Sequence, residues 1–279
     1  MAFDVKTFTT RATTALVFVA VMLAGLLGPL PIFLALFSVI TWVGLQEYSR
    51  LLQAIFQTEF SKQQTFSFSL LGMSALGMTY FAPLQAPSAE WPYAGFTLFF
   101  YWVGLFIGFL LMFLWFTKGS KSRYLLSGVG YIGLSIGLYA QLRFAHALLP
   151  MALIALIWTN DTMAYLSGSF IGKNPLMASV SPKKTIEGTL GGIVFTILIA
   201  ALGSRFFPEF SMGYWMALAF IASVIGTAGD LVESKLKRMA GVKDSGNIMP
   251  GHGGVLDRFD SLLLSAPFAF LLELLWPKA

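Results

Sequence analysis

The spacing of its apolar runs constrains this chain more than any other feature. Nine stretches approach the roughly 20 residues a helix needs to cross the hydrocarbon core of a bilayer. They are Ala12–Leu27, Pro31–Tyr48, Phe66–Pro83, Tyr93–Phe116, Tyr124–Leu142, Ala147–Phe170, Glu187–Phe207, Met212–Leu231 and Phe259–Trp276, the third being short and rich in Gly and Ser. Inside lipid every backbone polar group has to be satisfied within the segment or its neighbours, which selects helices over open sheet. Charged residues make up 11% of the sequence and hydrophobic ones 57%, whereas soluble domains carry about 25% charged residues. That supply is too small to cover a globular surface. The expected fold is therefore all-α, a polytopic integral membrane protein of about nine transmembrane helices. About five spans fall in residues 1–145 and about four in 146–279, forming one structural unit with catalytic motifs in the second part. No internal repeat, low-complexity linker or second soluble domain is visible.

Basic residues orient the bundle. With the N-terminus inside and loops alternating, fifteen of the 18 Lys and Arg residues fall on one side, and only Arg143, Arg205 and Lys278 on the other. Loop 82–92 contains neither. The bias marks the populated side as cytoplasmic, and it accounts for the net charge of +5 without a nucleic-acid partner. Lys6 and Arg11 before the first apolar run resemble a signal peptide, but Gly28-Pro29-Leu30-Pro31 and a second span follow without a clear cleavage site. A retained first helix is expected. In the absence of an organelle-targeting segment, a bacterial inner membrane is the expected setting.

The chain has no cysteine and only two histidines, His146 and His252. Disulfides, thiolate nucleophiles and thiolate metal sites are excluded, as is a three-histidine zinc site within one chain. Any metal is left to hard oxygen donors, which favour magnesium-like cations.

Three segments carry polar chemistry on the side assigned as cytoplasmic. The first lies inside the sixth span, where Asn160 and Asp161 sit between threonines. A carboxylate at a helix centre costs about 2.5–3.5 kcal/mol on insertion scales, so the pair is either interhelical glue or the wall of a polar cavity. The second is Ser181-Pro182-Lys183-Lys184-Thr185-Ile186-Glu187-Gly188. Here Thr185 and Glu187 can cap the seventh helix. Two lysines at a helix N-terminus oppose its dipole unless they serve an anion held there; a membrane-side anchor is the alternative.

The third segment is the densest. Asp230, Ser234, Lys237 and Arg238 recur at helical spacing on one face where the eighth span leaves the membrane, and Asp257 and Asp260 share a face at the start of the ninth. The intervening stretch contains Lys243, Asp244, Gly246, Pro250 and His252-Gly253-Gly254, a backbone able to approach a ligand closely. Hard carboxylate oxygens beside cationic side chains are what phosphoryl-type transfer requires.

From Ser234 to Asp260 the chain resembles the phosphatidate cytidylyltransferase (CDP-diacylglycerol synthase) family. The shared pattern is Ser234, Lys237-Arg238, Lys243-Asp244, His252-Gly253-Gly254, Asp257-Arg258 and Asp260. The resemblance extends upstream through Asn160-Asp161 and Ser181–Gly188, covering about residues 155–265. It implies an all-helical, often dimeric membrane enzyme that joins CTP to phosphatidate, giving CDP-diacylglycerol and pyrophosphate. It also implies Mg2+ held by Asp230 and Asp257 with Asp260 close by, and it leaves open a second, monovalent ion such as K+. On this resemblance Lys237, Arg238 and Arg258 meet phosphate charge, Ser234 donates a hydrogen bond, and His252 orients a phosphate or the loop. Lys243 and Asp244 join the catalytic set. Asn160, Asp161, Ser181, Lys183, Lys184, Thr185 and Glu187 form the substrate-binding set. Rival functions are a CTP-dependent polyprenol or phytol kinase, and an ion-coupled transporter with Asp161 and Asp230 on its path. A CDP-alcohol phosphotransferase would need an Asp-Gly pair, which this chain lacks.

Overall fold

The structure, a computed structural model, describes residues 5–81, 92–118, 120–248 and 253–276. Residues 82–91 of the expected loop, Pro250 and His252 of the motif, and Lys278 lie outside the described residues. Within them the chain is helical apart from one short hairpin. In order come α1 (Val5–Leu27), α2 (Leu30–Phe56), α3 (Lys62–Phe81), α4 (Pro92–Phe116), α5 (Lys121–Ala145) and α6 (Leu148–Ile171). They are followed by strands β1 (Pro175–Met177) and β2 (Ser181–Thr185), then α7 (Ile186–Gly203), α8 (Met212–Met239) and α9 (Leu256–Leu275).

Within the described residues each apolar stretch read from the sequence overlaps one of these helices, although α7 ends at Gly203, before the last four residues of the Glu187–Phe207 stretch. Four of them, α2, α5, α7 and α8, are long and apolar enough to cross a membrane, and the chain is a helical membrane protein. Several helices outrun their apolar stretch because polar residues continue or cap the turn. Helix α3 starts at Lys62, where Ser61 and Gln64 form a reciprocal capping box: Gln64 N–H donates to Ser61 Oγ at 3.2 Å and Ser61 N–H to Gln64 Oε1 at 2.9 Å. Helix α8 continues past Leu231 to Met239, carrying the charged face of the third motif into regular helix. Helix α2 ends on Gln57 in the left-handed region, with φ of 50°.

The chain divides into two compact units. The first comprises Met1–Gln141 and Met239–Phe259. Its core packs α2, α3 and α5 around the buried rings of Phe33, Phe37 and Tyr139, with centroids 4.7 Å apart for Phe33 and Phe37 and 4.9 Å for Phe37 and Tyr139. Tyr48 and Ser127 link α2 to α5 through their hydroxyls at 2.8 Å. Within α5 the turn widens to a π-helical stretch over Val129–Leu134, where Gly133 lies against the backbone of Gly72 on α3.

The second unit comprises Leu142–Arg238 and Asp260–Ala279. Helices α6 and α7 cross closely along small residues. A Cβ at Gly188 would come within 2.9 Å of Gly168 Cα, and one at Gly192 within 2.9 Å of Ala164 Cβ. Without a hydrophobic drive between helices in lipid, such small-residue contacts let backbones approach and gain dispersion energy. At the far end of α8, Tyr214 is buried and donates its hydroxyl to Glu273 of α9 at 2.9 Å.

Candidate active site

The second unit contains a cavity of about 670 Å³, within the usual size range of ligand pockets. Its walls include Asn160, Asp161 and Tyr165 of α6, Ser181, Lys183, Lys184 and Thr185 of β2, Thr189 at the start of α7, and Thr227 and Asp230 of α8. Local chemistry explains how these walls meet. Strands β1 and β2 pair antiparallel, Pro175 opposite Thr185 and Met177 opposite Ser181. Thr185 closes the hairpin and caps α7, its Oγ1 accepting from Gly188 N–H at 3.1 Å. Glu187 does not face the cavity. Its carboxylate accepts from the backbone N–H of Lys173 at 3.1 Å and from Asn174 Nδ2 at 2.6 Å, fastening the chain that enters the hairpin. Lys183 and Lys184 are thereby held at the N-terminus of an 18-residue helix, an end that favours anions.

The electrostatics of the cavity centre on Asp230. Lys184 Nζ forms an ion pair with its Oδ2, and Ser234 Oγ donates to its Oδ1 at 3.1 Å. Asp161 is open to the cavity and interacts electrostatically with both Lys184 and Asp230. Asp260 interacts with Asp230, Glu233 and Asp161. Asn160 and Asp161, adjacent in sequence, divide the roles considered for them. Asn160 is buried and its Nδ2 reaches Thr227 Oγ1 of α8 at 3.4 Å, so it serves as interhelical glue as well as cavity wall, while Asp161 is exposed to the cavity.

Two cations of the motif are engaged away from the cavity lining. Lys237 is buried, with its ammonium on the wholly buried Glu233 one turn earlier. Arg238 is exposed and its Nε–H donates to Val180 O at 3.3 Å, tying α8 to the hairpin turn.

The rest of the motif belongs to the first unit. Asp257 Oδ2 accepts from Ser245 N–H at 2.8 Å, Ser245 Oγ at 2.9 Å and Gly254 N–H at 2.7 Å, so this carboxylate folds the segment before α9. Gly253 has φ of +82°, and a Cβ there would collide with Asp257, which accounts for glycine at that position. Lys243, Asp244 and Arg258 are exposed. His252 lies outside the described residues.

Sequence reasoning missed Thr189 and Thr227 as cavity walls, since nothing marks them among other apolar-helix residues. It also missed Glu47 of α2, which is 1% exposed and bonded to Ser245, Val255 and Leu256. The rule that flags Asp161, a carboxylate within an apolar run, applies equally to Glu47.

Among the described residues no three acidic or histidine side chains converge as a ready ion site. The donor chemistry nonetheless suits magnesium. Asp161 and Asp230 both line the cavity, and hard oxygens are the ligands such a cation takes.

The chain matches the cytidylyltransferase family over residues 9–276. Among curated proteins it is similar to the phosphatidate cytidylyltransferase of Staphylococcus aureus (strain COL), with 41% identity over 166 residues, covering 56% of this chain and 64% of that relative. The phosphatidate cytidylyltransferase of Staphylococcus haemolyticus (strain JCSC1435) is 39% identical over 168 residues, with the same coverage of both chains. These matches span less than two thirds of the relatives' length.

Proposed function

This chain belongs to the cytidylyltransferase family, and from that premise we propose that it transfers the cytidylyl group of CTP to phosphatidate, leaving CDP-diacylglycerol in the membrane. The observation that carries the proposal is the cavity in the second unit. It combines two lysines at a helix N-terminus with Asp161 and Asp230, on helices of a membrane protein.

In the reaction a phosphate oxygen of phosphatidate attacks the α-phosphorus of CTP. The bond from that phosphorus to the bridging oxygen of the β-phosphate breaks, and pyrophosphate leaves with the electron pair. A phosphomonoester has its second pKa near 6, so the nucleophile is largely ionised at neutral pH and needs no general base. The catalytic problem is bringing two anions together. Lys183, Lys184 and the first turn of α7 supply positive potential for phosphate. Ser234 keeps the Asp230 carboxylate oriented, and Thr185 holds the helix end that faces the substrate. Asp161 and Asp230, the two carboxylates of the cavity wall, would hold Mg2+, which when bound neutralises phosphate charge. Lys237 offsets the buried charge of Glu233 beside this group, and Arg238 fixes the hairpin that presents the lysines.

We set the reaction at the cytoplasmic face of a nine-span protein. Fifteen of the 18 Lys and Arg residues fall on that side when the helices alternate, and the similar proteins are bacterial.

The test uses purified protein in detergent with radiolabelled CTP and phosphatidate, with magnesium or with a chelator. The expected result is magnesium-dependent labelled lipid with one pyrophosphate per product. Phosphorylated lipid with CDP would make the protein a lipid kinase. No reaction, together with ion flux in proteoliposomes, would make the cavity a transport site.

A further inference from the structure

Glu47 is a buried carboxylate in the middle of a membrane helix. Among the described residues it has no cationic partner. A charge in that position has to be satisfied by hydrogen bonds or it strongly disfavours the fold. Three donors satisfy it, two from the segment between α8 and α9 and one from the first residue of α9, about 200 positions away in sequence. Ser245 Oγ donates at 2.9 Å, Val255 N–H at 3.0 Å and Leu256 N–H at 2.9 Å. Leu256 is the first residue of α9. Glu47 therefore caps a helix from another part of the chain, in the position where the helix dipole favours negative charge.

The glycines around it fit this arrangement. A Cβ on Gly246 or on Gly254 would collide with the Glu47 carboxylate. Two glycines of the motif are thus accounted for by the side chain they admit. Asp257 takes the neighbouring donors, Ser245 N–H and Gly254 N–H, and shares the Ser245 hydroxyl with Glu47. The single hydroxyl hydrogen of Ser245 is shared between the two carboxylates.

We propose that Glu47 is a positioning residue for the transferase reaction: it clamps Ser245, Val255 and Leu256 to α2 and so sets the start of α9, which carries Asp257, Arg258 and Asp260. The proposal rests on the cytidylyl-transfer reading for its effect on turnover, but not for the clamp itself. Glu47 touches no reacting atom. Its influence runs through the backbone it holds.

The experiment compares wild type, Glu47→Gln and Glu47→Asp in detergent. Glutamine keeps the size but places an amide N–H2 against donors, so at least one of the three bonds is lost. Aspartate keeps the charge on a shorter arm. Hydrogen exchange is measured on unliganded protein over residues 245–248 and 253–257, with kcat and KM for CTP measured in parallel. In E47Q the segment should exchange about tenfold faster or more, the ratio implied by losing one charge-assisted hydrogen bond. Its kcat should fall by about 10- to 100-fold, as misplacement of a site without loss of its groups does, while KM for CTP stays near the wild-type value. E47D should recover part of both. Ser245→Ala, which removes one donor, should move exchange and kcat in the same direction by less.

Wild-type protection of the segment in E47Q would overturn the clamp, and a loosened segment with intact kcat would overturn the positioning role. Aggregation of both E47Q and S245A would make Glu47 a folding element, which also overturns it. A wild-type protein that makes no CDP-lipid refutes the transferase reading instead, and the exchange contrast still decides the clamp.

Discussion

Replacing Gly188 by alanine tests whether the close crossing of α6 and α7 builds the cavity. The new Cβ would lie 2.7 Å from Ala164 O, 2.8 Å from Thr185 Oγ1 and 2.9 Å from Gly168 Cα. Ordinary contact begins near 3.4 Å, so backbone on both helices has to retreat by several tenths of an ångström. Two of the three obstacles are backbone atoms and cannot rotate away. Overpacking of this kind costs about 1–3 kcal/mol. Alanine is the better helix former by about 1 kcal/mol in a helix interior, and position 188 is in the first turn, where less of that gain is realised. The net expectation is a loss of about 1–2 kcal/mol, or roughly 2–8 °C in thermal midpoint for a chain of this size. Turnover should fall as well, because Thr185 and β2 are displaced with the helix. Midpoints are read by thermal unfolding in detergent, with Gly108→Ala on α4 as control, since nothing lies within 4 Å of a Cβ there. If G188A proves as stable as G108A or more so, α6 and α7 do not pack through Gly188 and this account of the cavity walls fails.

Asp230→Asn keeps the size but frees Lys184 from its ion pair; it should abolish turnover while leaving the detergent elution profile unchanged, and retained activity would remove Asp230 from the mechanism. Joint replacement of Lys183 and Lys184 by alanine should raise KM for CTP or phosphatidate by about tenfold, on the order of one lost phosphate contact; unchanged values for both would reduce the pair to a membrane anchor. Thr185→Val removes the α7 cap and should cost about 1 kcal/mol in thermal stability, with weaker CTP binding by calorimetry. Glu187→Ala should loosen the hairpin, seen as faster proteolysis around Lys173, and raise KM with kcat largely retained, because its carboxylate holds Lys173 and Asn174 and not the cavity.

Much of the fold was legible without coordinates because hydropathy is a local, additive property of the chain. An apolar window of helix length has to become a helix in lipid, whatever its neighbours do. Boundaries were misjudged where polar residues extend a helix, at the Ser61 capping box and along the charged end of α8, and where α7 stops at Gly203, short of Phe207. Capping of α7 by Thr185 was also readable, since it depends on residues three apart.

What the sequence determined by itself was therefore the helices, their polar ends and the segments carrying charge. Only the tertiary structure decided which charges meet. Lys184 and Asp230 are 46 positions apart, and Glu47 and Ser245 are 198 apart. It also decided that Asn160 is buried against Thr227 of α8 while Asp161, one residue on, is exposed to the cavity both residues line. Those outcomes follow from how each helix is rotated and how closely it approaches the next. Small residues such as Gly168, Gly188 and Gly192 set that approach, and their effect depends on the helix opposite, which no local window contains.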